Sequence, residues 1–337
     1  MSKPIAVIIS DVHYNLQTLE LADAAMRLAI AKANQLQVPL IVAGDLHDTK
    51  ANMRGECIEA MINTFCILKV SCFILRGNHD QINEKSNKHS LNFLDLIENV
   101  TVIDHFTQHI GLSFIPYQHD LEMFKFYLDQ IDKGSTIIMH QGVKGSNAGD
   151  YMQDPTAIDK DLLADYRVIS GHYHTRQDIK CGRPRKGAAG LMSFIGNPYT
   201  LNFGEANDPQ KGFRILNEDG TLDFVPTNLR KHVVINITVA GHLGITHFEG
   251  VNPGDLVKVK ATGIKEELSK ISKDFIGNAL GIHDFRLELI PLQSTSVLPE
   301  HTIVSSEHTL DGLIDNLQNT SIEQKERLKT LWKALCA

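Results

Sequence analysis

Paired cysteines are the first thing this chain lacks. Its five cysteines (Cys57, Cys66, Cys72, Cys181 and Cys336) are odd in number, scattered, and never spaced as CxxC. They read as reduced thiols used for packing, which excludes a disulfide framework. Long apolar runs are also missing. The longest, such as "IAVIIS" and "PLIVAG", are strand-sized and too short to span a membrane. "MSKP" leads straight into a strand pattern without the regions of a signal peptide, so a cytoplasmic location is expected. Nor is positive charge in excess: 33 Lys and Arg stand against 40 Asp and Glu, a net charge of −7. That balance excludes a surface that binds nucleic acid everywhere, but it leaves room for a local basic groove. No GxxxxGK[ST] phosphate loop occurs, so any ATP dependence must come from another chain.

What is present belongs to a globular protein. With 337 residues, 42% of them hydrophobic, the chain can bury a large core and form two domains with a short appendage. Continuous apolar runs at 4–10, 39–44, 72–75, 136–140, 166–170 and 191–196 read as buried strands. Helical spacing over 17–36, with Leu19, Ala22, Met26 and Ile30 on one stripe, and a second pattern over 54–67 alternate with them. This rhythm predicts an α/β layered fold, its β-sheets flanked by helices. Near Pro226 the texture changes. "HVVINITVA" (232–240) and "DLVKVKATG" (255–263) alternate as half-exposed strands do, followed by a helix pattern at 264–278 and "FRLELIPL" (285–292). The expected organisation is a catalytic domain at 1–228, a small α+β domain at 229–300 and a helical tail at 301–337. In that tail Thr320 and Glu323 form a capping-box pattern, and Leu328, Leu331, Trp332 and Leu335 make an apolar stripe.

The polar residues that end successive strands form an unusual set. "SDVH" supplies Asp11 and His13, "GDLHD" supplies Asp45, and "GNHD" supplies Asn78, His79 and Asp80. "IIMHQG" adds His140, and "ISGHYH" adds His172 and His174. Strand carboxyl ends of an α/β sheet meet at one edge, where ligands bind. Each piece alone has a bland reading: an Asx-turn beside Gly44 or Gly77, a strand-end turn, a core histidine. All of those readings must hold together for a site to be absent. Carboxylate, imidazole and amide donors without thiolate suit manganese, iron or zinc. The number of donors exceeds what one ion needs. A bridging carboxylate between two ions, about 3.5–4 Å apart, accounts for it and suits in-line phosphoryl displacement. His47, His89, His105, His109 and His119 match no block and read as surface or packing residues.

The ordered series DxH…GDxxD…GNHD…H…GHxH over residues 11–174 resembles the signature of the calcineurin-like metallophosphoesterases. The resemblance implies one metal on Asp11, His13, Asp45 and His174, and a second on Asp45, Asn78, His140 and His172. It also implies that His79, oriented by Asp80, protonates the leaving oxygen or stabilises the transition state, a task suited to an imidazole. Two divalent ions, manganese first, are the implied cofactors. Within that superfamily, "GNPYTLNFGEANDPQKGF" (196–213) resembles the GSPxxxxFGExxxxKGF segment of the SbcD family of DNA-repair nucleases. Gly196, Pro198, Phe203-Gly204-Glu205 and Lys211-Gly212-Phe213 carry the likeness. "HQGV" at 140–143 and the domain after residue 228, similar to a DNA-capping domain, agree with it. Tyr14-Asn15 after His13, and Asn197 in place of Ser, depart from the pattern but leave every implied ligand in place. The compact length is similar to that of virus-encoded relatives that serve phage recombination.

The resemblance implies a metal-dependent DNA exonuclease or endonuclease, the catalytic subunit of an SbcCD-like repair and recombination complex. It implies an SbcC-type coiled-coil ATPase partner, which the tail helix could dock, and a homodimer. No membrane is involved. Arg176, Lys180, Arg183, Arg185 and Lys186 cluster just after the GHYH block and could neutralise DNA phosphates, as could Lys85 and Lys88 more weakly. The rival expectations are a phosphatase or a small-molecule or cyclic-nucleotide phosphodiesterase of the same superfamily, and a non-catalytic scaffold.

Overall fold

The computed structural model describes residues 2–50, 52–83, 87–147, 154–182, 190–239, 243–247, 250–292 and 321–336. The chain divides into two units. The first holds Met1–Leu201 and Asp208–Leu229; the second holds Asn202–Asn207 and Arg230–Ala337.

The strands of the first unit, in chain order, are β1 (Pro4–Ile9), β2 (Leu40–Val42), β3 (Cys72–Leu75), β4 (Val100–Ile103), β5 (Thr107–His109) and β6 (Leu112–Ile115). They continue with β7 (Thr136–His140), β8 (Arg167–Gly171), β9 (Gln177–Lys180), β10 (Leu191–Phe194), β11 (Gly212–Asn217) and β12 (Leu222–Pro226). They form two six-stranded sheets, ordered β12-β11-β1-β2-β3-β4 and β5-β6-β7-β8-β10-β9. β1 to β4 run parallel, as do β6, β7, β8 and β10; the antiparallel strands lie at the sheet margins. This is the expected layered fold of β-sheets flanked by helices.

The two-residue period of a strand explains how the sheets pack. Ala6, Ile8, Ile41, Ala43, Phe73 and Leu75 from the first sheet share a core with Phe114, Ile138 and Ile169 from the second. The alternate residues Val7, Ile9, Leu40, Val42 and Ile74 point the other way. They bury against α1 (Leu19–Leu36) and α2 (Gly55–Phe65). In α1 the buried face is Ala22, Ala25, Met26, Ala29, Ile30 and Ala33, a helical stripe, and Gln37 closes the helix in the left-handed region ahead of Pro39. On the far side of the second sheet, Phe124 and Leu128 of α3 (Leu121–Leu128) cover Ile137, Met139 and Val168. The order is helices, sheet, sheet, helix. α3 is absent from the sequence reading because "LEMFKFYL" is apolar almost throughout and shows no clean stripe.

The second unit contains a four-stranded sheet, β14-β13-β15-β16, from β13 (His232–Val239), β14 (Leu243–His247), β15 (Leu256–Gly263) and β16 (Arg286–Pro291). One face buries Val233, Ile235, Ile237, Val257, Val259 and Ala261 with Leu268 and Ile276. The predicted 264–278 helix is two, α4 (Lys265–Leu268) and α5 (Lys273–Leu280), because Ser272 caps the second through Phe275 N at 3.1 Å. α6 (Ile322–Cys336) lies beside α5. Its capping box uses Ser321 and Gln324, each bonding the other's backbone N–H, one residue later than the predicted Thr320 and Glu323. Thr320 and the side chains of Glu323, Leu331, Trp332 and Leu335 lie outside the described residues; Leu328 is half-buried.

Among the described residues no helix is long and apolar enough to cross a membrane. Two glycines let the strand ends crowd together. A Cβ on Gly77 would collide with the Asp45 carboxylate and backbone nitrogen, and one on Gly44 (φ +94°) with the His140 ring. Gly55, at the start of α2, has nothing near its missing Cβ. Gly77→Ala is therefore expected to destabilise the fold by about 1–3 kcal/mol through overpacking. Gly55→Ala should stabilise it by about 0.4–1 kcal/mol. Paired urea titrations of the two variants check both signs.

Candidate metal centre

The residues named at the strand ends converge. Asp11 and His13 follow β1, Asp45 follows β2 and Asn78 follows β3, while His140 closes β7 and His172 follows β8. Three groups with metal-ligand spacing result. Asp11, His13 and His174 form one, Asp45, His140 and His172 a second, and His13, Asp48 and His79 a third that shares His13 with the first. Asn78 joins the second, its Oδ1 lying 3.0 Å from His140 Nε2 and 2.9 Å from His172 Nδ1. Asp45 stands between the first two groups, with Oδ2 at 3.3 Å from His140 Nε2 and 3.9 Å from His13 Nε2. Asp11, His13, Asp45 and His140 are all buried.

The backbone is strained to achieve this. Asp11 (φ 52°), His13 (φ 52°), Asp45 (φ 49°) and His172 (φ 89°) all occupy the left-handed region. Side-chain-bearing residues enter it at a cost of order 1 kcal/mol each, and such residues gather at functional sites. Backbone bonds hold them there. Asp11 N–H donates to Gly44 O (3.1 Å), His13 N–H to Asp45 O (3.1 Å), and His172 N–H to Asp11 Oδ1 (3.0 Å).

Proton bookkeeping tests whether these groups suit a cation. His140 Nδ1 lies 2.8 Å from the Ala43 carbonyl, which only accepts, so that nitrogen carries hydrogen. In neutral His140 the remaining nitrogen, Nε2, then turns a lone pair onto the Asp45 carboxylate, which has no hydrogen to give. A cation has to sit between them, either a proton or a metal ion. His13 Nε2 and His174 Nε2 face each other at 3.0 Å beside Asp11, a contact that a single proton or a metal ion can bridge. The donor set and its geometry therefore fit divalent ions.

Charge follows the same logic. Burial disfavours the imidazolium of His140, but the Asp45 carboxylate outweighs it, with help from Asp11 and the Ala43 carbonyl, and lifts the group to about 9. Burial likewise disfavours the Asp45 carboxylate, yet His140, His79 and His13 together hold it well below the usual range.

Asp80 does not orient His79. Its carboxylate accepts from the backbone N–H of His47 (2.9 Å) and Gly77 (2.8 Å), tying the second strand-end loop to the third. Burial and the Asp45 charge push Asp80 up to about 6. The neighbour of His79 is Asp48, whose carbonyl oxygen lies 2.7 Å and whose carboxylate 3.8 Å from His79 Nδ1. Asp48 also stands 3.2 Å from His13 Nδ1, and that imidazole holds its carboxyl below the usual range. Asp48 ends the "GDLHD" block, so the motif contained the signal. Asp154 had none: it lies in a loop with no distinguishing pattern, yet its Oδ2 is 3.0 Å from His172 Nε2. Tyr173, between the two histidines of GHYH, is a core residue packed on Phe194 with ring centroids 4.8 Å apart.

The 196–213 segment braces the centre. Tyr199 Oη donates to Val12 O (2.5 Å), pinning the turn between Asp11 and His13. Lys211 Nζ reaches His174 O (3.1 Å), Asn197 Oδ1 (2.5 Å) and Asp208 Oδ2 (2.7 Å), pinning the end of GHYH. Phe203 belongs instead to the second unit, under the Lys258 ammonium at 4.8 Å. Of the basic cluster, Arg176 packs its guanidinium on Phe224 at 4.1 Å, and Lys180 is exposed on β9. Arg183, Arg185, Lys186 and Lys85 lie outside the described residues; Lys88 is exposed. None of His47, His89, His105, His109 and His119 enters the metal-spaced groups.

The calcineurin-like phosphoesterase family model matches residues 6–176. Exonuclease subunit 1 of Enterobacteria phage T4 is 26% identical over 118 residues, 35% of this chain and 31% of that protein, so the match spans about a third of that relative's length. Among solved structures, a novel archaeal phosphodiesterase is similar at 16% identity and a TM-score of 0.34, covering 66% of this chain and 98% of that one. The Pseudomonas putida nuclease MPE is similar at 12% identity and a TM-score of 0.31, covering 65% and 87%. A family match over half the chain, on the stretch that carries the clustered Asp, Asn and His side chains, leads to one conclusion: this chain belongs to the calcineurin-like phosphoesterases, which hydrolyse phosphoesters with divalent metal ions.

Proposed function

We propose that this chain is a two-metal phosphodiesterase that cleaves DNA, the nuclease subunit of an SbcCD-like complex. The observation that carries the metal reading is the pair of Asp/His groups meeting at Asp45. Asp11, His13, Asp45 and His174 would hold one ion, and Asp45, Asn78, His140 and His172 the other. Bound there, the ions supply Lewis acidity and lower the pKa of water for attack on phosphorus. His79, 38% exposed and held by Asp48, is free to give a proton to the departing oxygen. The DNA substrate rests on the 196–213 resemblance and on the phage exonuclease subunit as a relative. Lys180 with Arg183, Arg185 and Lys186 would meet phosphates, whereas Arg176 is occupied by Phe224.

The remaining assignments follow from the same reading: a catalytic domain at 1–228, a DNA-capping domain at 229–300, and a tail at 301–337 that docks a coiled-coil ATPase. The protein would work as a cytoplasmic homodimer with manganese.

Purified protein with Mn2+ should cleave DNA, and His79→Ala should lose about 10²–10⁴-fold in rate while still binding two ions by calorimetry. Hydrolysis of nitrophenyl phosphates without any DNA cleavage, even with an ATPase partner present, would overturn the nuclease reading.

Stability against pH offers a second check. Because folding raises the His140 pKa from its ordinary value near about 6.5 to about 9, that group stabilises metal-free protein fully below the lower value. The contribution is lost as pH rises through the upper one. Melting temperature in EDTA should fall across that window, and saturating Mn2+, which replaces the proton, should flatten the curve. An unchanged pH profile on adding Mn2+ would count against His140 as a ligand.

A further inference from the structure

A histidine can offer a metal either ring nitrogen, and its second nitrogen needs a partner that decides which. His140 settles this with the Ala43 carbonyl. His172 has no backbone carbonyl in that role. Its Nε2 lies 3.0 Å from Asp154 Oδ2. A carboxylate side chain 7% exposed, taking hydrogen bonds from Thr156 and Tyr173, accepts hydrogen there as well.

Asp154 is itself fully held. Oδ1 accepts from Thr156 N (2.8 Å) and Thr156 Oγ1 (2.6 Å), and Oδ2 also accepts from Tyr173 Oη (3.4 Å). Thr156 is anchored in turn by Tyr117 Oη (3.2 Å) and, through its carbonyl, by Gln141 Nε2 (2.8 Å). A Cβ on Gly142 would collide with the Asp154 carboxylate, so the strand end is cut away to admit it. The His172 ring sits between Tyr117, stacked at 5.9 Å, and Tyr173 at 5.1 Å. Only one orientation satisfies all of these contacts. It turns Nδ1 toward Asn78 and the second group, whereas His13 and His174 present Nε2 to the first.

We infer that Asp154 is the positioning residue of the second metal site: it fixes His172 with the proton on Nε2 and presents Nδ1 to the ion. This rests on the reading of Asp45, Asn78, His140 and His172 as that ion's ligands. Carboxylates placed behind a metal-binding histidine set its ring orientation and raise its basicity, and losing one weakens metal binding by about 10–100-fold.

Calorimetric titration with Mn2+ alone should therefore show two ions on the wild type. Asp154→Ala should weaken one of them by about 10–100-fold and leave the other unchanged. Asp154→Asn, whose single oxygen can accept from Thr156 or from His172 Nε2–H but not from both, should weaken the same ion as well. Folding of each variant is checked by its melting curve in EDTA. A readout that needs no variant is the 15N spectrum of histidine-labelled, Zn2+-loaded wild type, in which His172 should coordinate through Nδ1 and keep hydrogen on Nε2. Coordination through Nε2, or unaltered Mn2+ affinities in Asp154→Ala, overturns the inference. His172→Ala run alongside separates the two levels. If it weakens one ion while Asp154→Ala does not, the positioning role falls and the ligand assignment stands; if it weakens neither, the ligand assignment itself falls.

Discussion

One imidazole joins the two sheets. His140 closes a strand of the second sheet, and its Nδ1–H reaches the carbonyl of Ala43, two residues before Asp45 in the first. That bond commits the proton of His140 and leaves Nε2 aimed at Asp45 and Asn78. Everything else at the centre follows from it. The sheets must pack closely enough for a ring to bridge them, which is why alanine and glycine (Ala43, Gly44) stand opposite. The opposing polar atoms then require a cation. A metal site results from burying lone pairs where hydrogen cannot satisfy them.

The centre is also costly to build. Four of its side chains sit on left-handed backbone, and several carboxylates lie in low-dielectric surroundings. The surrounding structure over-determines each of these states. Ser10 Oγ donates to Asp11, the N–H of His79 donates to Asp45, and two backbone N–H groups donate to Asp80. Asp48 stands behind His13 and Asp154 behind His172. Repulsion among the buried charges is thus spread over a network whose members also hold the loops in place. Lys211 shows the same economy, since a residue first noticed as part of a family resemblance proves to brace the turn that carries His174, as Tyr199 of the same segment braces the turn that carries His13.

Much of this was legible in the chain. The buried strands, α1 and α2, and the change of texture near Pro226 follow from periodicity, and the strand-end blocks from their spacing. Which strands belong to which sheet was not legible, because a strand buried on both faces reads the same whether a helix or another sheet covers it. α3 escaped notice for the related reason that a short, almost wholly apolar segment carries no periodic signal. The exchange of Asp80 for Asp48 beside His79 turned on tertiary placement: Asp48 ends one strand-end block and His79 stands in another, so the motif supplied the residue but not its partner.

By itself the sequence determined which chemical groups are available and the order in which strands deliver them: spacing names Asp11, His13, Asp45, Asn78, His79, Asp80, His140, His172 and His174, and the family resemblance implies which of these are ligands. The ligands so implied are local, each within four residues of its own strand end. The tertiary structure alone decided which nitrogen of each imidazole is free. That choice belongs to partners far along the chain: Ala43 for His140 at a separation of 97 residues, and Asp154 for His172 from an unremarkable loop. A hydrogen bond fixes a tautomer only when both partners are placed to within a few tenths of an ångström, and packing, not local pattern, places them.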